Sequence, residues 1–510
     1  MSGENTPVYN TDDPIPAGTL VLTILQHLFA TVVYMTYPVI ITSAINGSAE
    51  LTTALISATL IGCGIASILQ AARRLGTGYP IPIIPNSSYL PASLLAATAG
   101  GLPLLYGMFI FAGAMEILIS RLTRFFRIIF PNEVIGVVLF LLGIAIVPFA
   151  FPLFFGSADG SPLDPRSTLV GVITLVTIIG LSLIPKRIFK FYSTIIGIIA
   201  GLLAAVVFGV FSPAVLLEIT GQPLFAVPEF AFLTGYQFNP ALCLPFLIAV
   251  ICIVMKTVGN ISLMSAYTGK GDKNTLRRGL FAEGAGLALT GALGGMGVGT
   301  SSSSTGLIVS TGIASRKVGF GIGILFILCG FLPAVGWVFH ILPKPILGAV
   351  LIYAIVFVMI NGIQDISSRM LDTRRSFVVI LPILIGVSSA VCPYLYAGLP
   401  EWLSLLFTSP LTAGSLAVVL LGVLFRIGIP RTRTLRPSAP EDVHAFVEEC
   451  GRLWTLNKNQ AASISRELEK QFMAVTEGSL TLTISRNREI LHAKISPDGA
   501  EDTVIPYYLL

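Results

Sequence analysis

The sequence predicts an all-α polytopic membrane protein, and three observations predict it. The first is composition. Of 510 residues, 54% are hydrophobic and only 11% charged, against about 25% charged in a soluble domain. Too few polar residues exist to cover a soluble core of this size, so the chain needs a low-dielectric solvent. The second is segmentation. Fourteen apolar stretches approach the ~20 residues that cross a bilayer as helix: 17–42, 52–72, 80–98, 103–120, 132–152, 167–185, 192–211, 239–263, 279–295, 301–314, 318–338, 345–363, 376–395 and 408–426. The third is where the short-loop cations fall.

Arg73 and Arg74 follow the second segment, and Arg121, Arg124 and Arg127 the fourth. Lys186, Arg187 and Lys190 follow the sixth, and Lys270, Lys273, Arg277 and Arg278 the eighth. Arg316 and Lys317 follow the tenth, Arg369, Arg374 and Arg375 the twelfth, and Arg426, Arg431 and Arg433 the last. The intervening loops hold little beyond Arg166 and Lys344. Cations after every even-numbered segment satisfy the positive-inside rule with both termini cytoplasmic, in a plasma (inner) membrane. A missed helix would break the alternation, so an even count is expected.

The opening MSGENTPVYNTDDPIP is polar and acidic, the reverse of a signal peptide's basic start. Residues 1–16 are therefore expected as a cytoplasmic N-terminal tail and 17–430 as the membrane domain. The six cysteines, Cys63, Cys243, Cys252, Cys329, Cys392 and Cys450, are scattered without metal-ligand spacing and read as small core residues. No nucleophile–base pair or metal constellation stands out, so an enzyme is not expected, and no cofactor or nucleic-acid partner is implied.

Fourteen segments divide into seven plus seven, and the halves share a peculiarity. The third segment reads YPIPIIPNSSYLPASLLAA, with four prolines and a polar NSSY. The tenth, GMGVGTSSSSTGLIVSTG, is glycine-studded around six consecutive hydroxyl residues, Thr300 through Thr305. Neither opens as a continuous helix. Gly/Pro-broken segments at matching places of two halves mark the substrate site of an inverted-repeat transporter, because irregular backbone at membrane depth persists only where it lines a cavity or is buried in protein. Hydroxyls there can satisfy or extend the free N–H groups of a half-helix. The plainer reading is that small residues let helices pack closely. Six hydroxyls in a row, matched by NSSY seven segments away, favour the binding site.

Three stretches carry a resemblance to the nucleobase–ascorbate transporters, the nucleobase:cation symporter-2 family of uracil and xanthine permeases. QHLFA (Gln26–Ala30) resembles the family's QH motif, NSSY stands where members often have a GSSF-like element, and RRGLFAEGAGLALTGALGGMGVGTSSSSTGLIVSTGIASRKVG (Arg277–Gly319) is similar to its ninth and tenth spans. The resemblance implies a 7+7 inverted repeat over about 17–430. A core domain of segments 1–4 and 8–11 would move, elevator-fashion, against a gate domain of segments 5–7 and 12–14. Short strands would open segments 3 and 10, and a homodimer is expected, with membrane lipids and a small-molecule substrate as the other partners.

The substrate motif departs from that pattern. Where bacterial members keep a glutamate or glutamine and then an asparagine in segment 10, this chain has Ser303 and Ser304, with the motif's glycine retained as Gly306. Where they keep a glutamate in segment 8, IVMKTVGNISLM places Lys256, with Gly259 and Asn260 continuing the pattern. A lysine deep in a span costs at least a few kcal/mol unless it meets water, a partner or a ligand. Lys256 lies fourteen residues before Lys270, roughly 20 Å of helix, too far to snorkel. An ion pair inside the core domain and a counter-charge for an anionic ligand remain as its two readings. The expected substrate-binding set is Tyr89, Ser88, Lys256, Asn260, Ser302, Ser303, Ser304 and Thr305. His27 and Glu283 are the proton-coupling candidates, powered by a proton or other ion gradient. His27 could equally be a hydrogen-bonder between helices, Glu283 could pair with Lys256 or an arginine, and Glu116 is expected to pair with Arg121 or Arg124.

From Pro437 the composition turns polar. Residues 437–510 read as a cytoplasmic α/β module of two helices (441–453, 458–475) followed by strands SLTLTISR and EILHAKISP, on apolar helical spacing and strand alternation. It loosely resembles part of a histidine-kinase-type ATPase domain without its nucleotide motifs, and reads as a regulatory or dimer-contact element. Three functions follow in order: a proton-coupled permease of nucleobase-like solutes; a carrier or exchanger of small organic or inorganic anions with Lys256 as counter-charge; and a transporter-like sensor signalling through the C-terminal module.

Overall fold

The computed structural model describes residues 7–121, 132–157, 162–185, 187–216, 221–272, 274–367, 373–396, 398–399, 407, 409–425, 432–435, 440–454, 458–474, 480–487, 490–497 and 503–508. The expected cationic positions Arg124, Arg127, Lys186, Lys273, Arg369, Arg426 and Arg431, and Pro437, lie outside them.

Helices α1 (Ala17–Thr31) and α2 (Thr36–Ala44) are joined by a 3-10 turn, Val32–Met35. Pro38 sits in the first turn of α2, where its missing N–H costs nothing. After α3 (Ala49–Ala71), Pro80, Pro82 and Pro85 keep the chain extended, and Ile83–Pro85 forms strand β1. Helix α4 (Leu90–Arg121) follows a 3-10 turn, Ser87–Tyr89. The second half of the third sequence segment and the whole of the fourth fall on α4, which breaks at Gly100–Gly101. Gly101 has φ 69° and ψ −166°, a conformation essentially confined to glycine.

Next come α5 (Asn132–Phe154), α6 (Pro165–Leu183), α7 (Arg187–Val207), α8 (Cys243–Thr268) and α9 (Thr275–Leu293). Gly294, at φ 93°, ends α9 in the left-handed conformation, and strand β2 (Val298–Thr300) leads into α10 (Ser302–Thr311). Helices α11 (Arg316–Gly330) and α12 (Pro333–His340) make a pair bent by 78°. Then follow α13 (Lys344–Ser367), α14 (Thr373–Val391) and α15 (Pro410–Leu424).

By length and hydropathy, eight helical stretches among the described residues can cross a membrane, or nine if the bent pair counts as one span. Others of the fourteen expected segments are shorter apolar helices, such as Tyr192–Val207 and Pro410–Leu424.

The chain divides into two compact units. The first comprises Met1–Phe126, Leu142–Val358 and Ala397–Leu406; the second comprises Arg127–Leu141, Met359–Tyr396 and Phe407–Leu510. In the first unit, α4 packs on α9 and α3 packs on both α9 and α11. A Cβ on Gly284 would stand 2.9 Å from Ile117 N and 3.0 Å from Gly113 O, so α4 and α9 approach backbone to backbone. The N-terminal segment is docked rather than free: Tyr9 N donates to Gly312 O (3.0 Å), and Ala314 N donates to Tyr9 O (2.7 Å).

In the second unit, Arg375 of α14 pairs with Glu133 in the first turn of α5. The C-terminal part holds β3 (Thr432–Leu435), helices α16 (Pro440–Trp454) and α17 (Lys458–Ala474), then β4 (Leu480–Asn487), β5 (Ile490–Pro497) and β6 (Thr503–Tyr508). The strands form one antiparallel sheet in the order β3-β4-β5-β6. Sequence reasoning missed β3 and β6. TRTL is short and polar, and Pro506 argues against a strand except at a sheet edge, which is where β6 lies.

Candidate functional site

Strands β1 and β2 pair antiparallel, Ile83 with Thr300, Ile84 with Gly299 and Pro85 with Val298. Asn86 N donates to Gly297 O and Ser301 N to Pro82 O, both at 3.1 Å. Each strand runs straight into a helical start. The Asn86 side chain accepts from Ser88 N at 3.1 Å, and Ser301 Oγ accepts from Ser304 N at 3.1 Å, so each start is capped by the polar residue the sequence supplies there.

The six hydroxyls divide their labour. Ser301 is the cap, and its Oγ also lies 3.0 Å from Ser303 Oγ. Thr305 Oγ1 donates back to Ser301 O at 2.8 Å and is buried. Ser304 is buried with its hydroxyl unpaired. Only Ser302 and Ser303 reach an open face. Ser303 meets Tyr34 Oη at 3.2 Å, and Tyr34 stacks tilted against Tyr37 with ring centroids 5.8 Å apart.

Thr300, the first of the run, belongs to a buried network. Thr257 Oγ1 donates to Glu283 Oε1 at 2.8 Å, and Thr300 N donates to the same oxygen at 2.6 Å. Thr257 and Thr300 hydroxyls lie 2.6 Å apart. A hydroxyl has one proton; Thr257 gives its own to Glu283, so Thr300 is the donor to Thr257. Asn260 Nδ2 in turn donates to Thr300 Oγ1 at 3.0 Å. Every donor therefore points towards Glu283. The network ties the α8 turn that carries Lys256 to the strand end that carries the Ser301 cap.

Lys256 is half-buried and makes no hydrogen bond or ion pair among the described residues, although Glu283 lies within its electrostatic reach. Of its two readings, the ion pair inside the core is not formed among the described residues: Glu283 Oε1 accepts from Thr257 and Thr300, and Oε2 has no partner. Beside Lys256, Gly259 has nothing within 4 Å of where a Cβ would project, and Gly306 of α10 likewise. Lys256, Ser302 and Ser303, with Tyr34, are the expected and newly found groups on accessible surface.

The other expected residues lie deeper. Tyr89 is fully buried, edge-on to Phe109 at 5.5 Å and 87°, with no partner for its hydroxyl. Ser88 and Asn260 are buried too. His27 is fully buried in α1 with neither ring nitrogen paired, so it is not the helix-to-helix hydrogen-bonder expected as its plainer role. Glu116 makes no ion pair with Arg121; both its oxygens lack a donor, and Glu283 is the charged group that acts on its carboxyl. Sequence reasoning missed Tyr34, Tyr37 and Thr257. Two tyrosines flanking the break before Pro38 were the only available signal for the first two.

Against this geometry stand the comparisons with known proteins. The model of the xanthine/uracil "Permease family" matches residues 18–395. The chain belongs to that permease family. The xanthine permease XanP of Escherichia coli is 26% identical to this permease over 440 residues, covering 82% of this chain and 94% of its own. The uric acid permease PucJ of Bacillus subtilis is 25% identical over 415 residues, covering 79% and 92%. Among solved structures, the transmembrane domain of the cyanobacterial bicarbonate transporter BicA superposes with a TM-score of 0.52 at 13% identity, covering 80% of this permease and 98% of that chain. That likeness is one of fold. The protein is an integral membrane transporter, not an enzyme.

Proposed function

We propose that this permease is a secondary-active transporter of nucleobase-like solutes, held between Lys256 of α8 and the Ser302–Ser303 start of α10, with Tyr34 against the second serine. The observation that carries the reading is the β1–β2 pair feeding two capped helical starts, in a chain whose relatives are named for xanthine and uric acid. Backbone N–H groups, hydroxyls and an ammonium are all donors, so they suit a ligand rich in carbonyl and ring-nitrogen acceptors. Coupling to a proton gradient, elevator movement of a core of segments 1–4 and 8–11 against a gate of segments 5–7 and 12–14, the fourteen-span 7+7 repeat, a homodimer and cytoplasmic termini at the plasma (inner) membrane complete the proposal. The 437–510 module would serve as a regulatory or dimer-contact element.

One observation favours a second reading. Among the described residues Lys256 makes no direct hydrogen bond or ion pair, Glu283 acting on it only through space, and an ammonium without a contacting counter-ion in a low-dielectric setting favours an anion. A small organic or inorganic anion is the alternative cargo.

Thermal shift of the purified protein in detergent against uracil, xanthine and uric acid, and separately against bicarbonate and sulfate, tests both. Stabilisation by nucleobases alone is expected. Stabilisation by the simple anions alone, lost in Lys256→Gln, would replace the nucleobase reading with the anion one. Lys256→Glu that binds every probe as the parent does would remove Lys256 from the site.

A further inference from the structure

We infer that Glu116 and Glu283 form a one-proton carboxyl pair, in which Glu116 holds the proton and donates it to Oε2 of Glu283. The inference deepens the proton-coupled reading above and rests on it for its role in transport, but not for its existence. Glu116 (α4) and Glu283 (α9) are both fully buried on facing helices, a Cβ on Gly284 would stand 3.0 Å from Glu116 Cβ, and the two carboxyl groups act on each other. Three of the four oxygens, both of Glu116 and Oε2 of Glu283, receive no donor. Two carboxylates that act on each other without donors cannot both stay ionised in a low-dielectric interior; one proton between them converts the repulsion into a hydrogen bond.

The donor arrangement says which residue keeps the proton. Glu283 Oε1 accepts from Thr257 Oγ1 and from Thr300 N, so its negative charge is supported. Glu116 has no such support. The close α4–α9 approach at Gly113 and Gly284 holds the two glutamates on helices that meet backbone to backbone.

The surrounding elements fit a proton as the ligand. Tyr89, from the turn before α4, lies within electrostatic reach of both carboxyls, and its fully buried hydroxyl has no partner. From α8 come Cys252, close to Tyr89, and Lys256, which senses Glu283. Helix α3, which packs on the other side of α9, carries its single charged residue, Glu50, in its first turn. β2 contributes Thr300 and no titratable group.

Release of the proton would leave a second negative charge beside the Thr257–Thr300–Asn260 chain, one residue from Lys256 and one from the Ser301 cap. The pair therefore links proton occupancy to the groups that form the candidate site.

Infrared difference spectroscopy of the full-length protein in detergent tests this, because a protonated carboxyl has a carbonyl stretch that a carboxylate lacks. The wild type at neutral pH is expected to show that band, shifted in D2O. Glu116→Gln is expected to abolish it, since the amide can donate to Glu283 with no proton needed. Glu283→Gln is expected to move or abolish it. Absence of the band in the wild type overturns the pair, as does persistence in Glu116→Gln or an unshifted band in Glu283→Gln. If sodium chloride stabilises the protein over choline chloride and Glu116→Gln removes the difference, a cation occupies the site and the proton is excluded. Should Glu116→Gln fail to fold, the wild-type band and Glu283→Gln still decide. No transported solute enters the measurement, so a failed nucleobase screen with the band behaving as stated sinks the transport reading alone.

Discussion

Thr257 and Thr300 lie 2.6 Å apart, hydroxyl to hydroxyl, and the proton between them belongs to Thr300. That one contact joins α8 to the strand that opens α10. It also fixes the direction of the chain from Asn260 through Thr300 and Thr257 to Glu283.

Thr300→Val keeps the side-chain shape and removes both the acceptor for Asn260 and the donor to Thr257. A buried amide left unsatisfied costs about 1–3 kcal/mol. The melting temperature in detergent should fall, while Thr300→Ser should retain most of the stability. Equal losses in the two variants would show that the methyl group, not the hydroxyl, matters.

Gly284→Ala places a Cβ 2.9 Å from Ile117 N and 3.0 Å from Gly113 O, both backbone atoms that cannot rotate away. Helices α4 and α9 must separate, at a cost of roughly 1–3 kcal/mol. Gly259→Ala, where nothing lies within 4 Å, should melt close to the parent temperature. Comparable melting of the two alanine variants would contradict the close approach.

Arg375 and Glu133 pair within the second unit with side-chain exposures of 12% and 2%. Removing Arg375 leaves the buried Glu133 carboxylate, whose Oε2 has no partner, without its guanidinium, and such changes cost about 3–5 kcal/mol. Arg375→Met should therefore lower expression and melting temperature strongly. The double change with Glu133→Gln should recover much of the loss, as a double-mutant cycle would measure.

Asp12 gathers three cations: Arg73 at 2.8 Å, Arg316 at 3.3 Å and Lys270 at 3.4 Å. Burial pushes its carboxyl up, but Arg73, Lys270 and Arg316 outweigh that and hold it below its ordinary value of 3.8. A lowered carboxyl stabilises the folded state above its ordinary value and loses that contribution as pH falls through the folded one. The docked N-terminal segment should thus loosen only in acid below about pH 3.8. Exposed pairs contribute about 1 kcal/mol or less each, so Asp12→Asn should cause a small melting shift at neutral pH that vanishes in acid. Proteolysis of residues 7–13 against pH would follow the same course.

The tail shows how local pattern and tertiary context divide. LTLTIS alternates plainly enough to be read as a strand, whereas TVIPYY contains a proline that only an edge position accommodates. Likewise GVGTSSSSTG advertised a broken span, but nothing in it distinguished Ser302 and Ser303 on the open face from Ser304 and Thr305 inside. Helical spacing assigns a face only once the neighbouring helices are known.

By itself, the sequence determined the membrane class, the breaks in the third and tenth segments and the family, because hydropathy, proline, glycine and motif are local properties of the chain. Only the tertiary structure decided that Glu283 turns to Thr257, Thr300 and Glu116 rather than to Lys256. Residues 116, 257, 283 and 300 come from four separate elements, and no spacing along the chain encodes which buried oxygens find a donor.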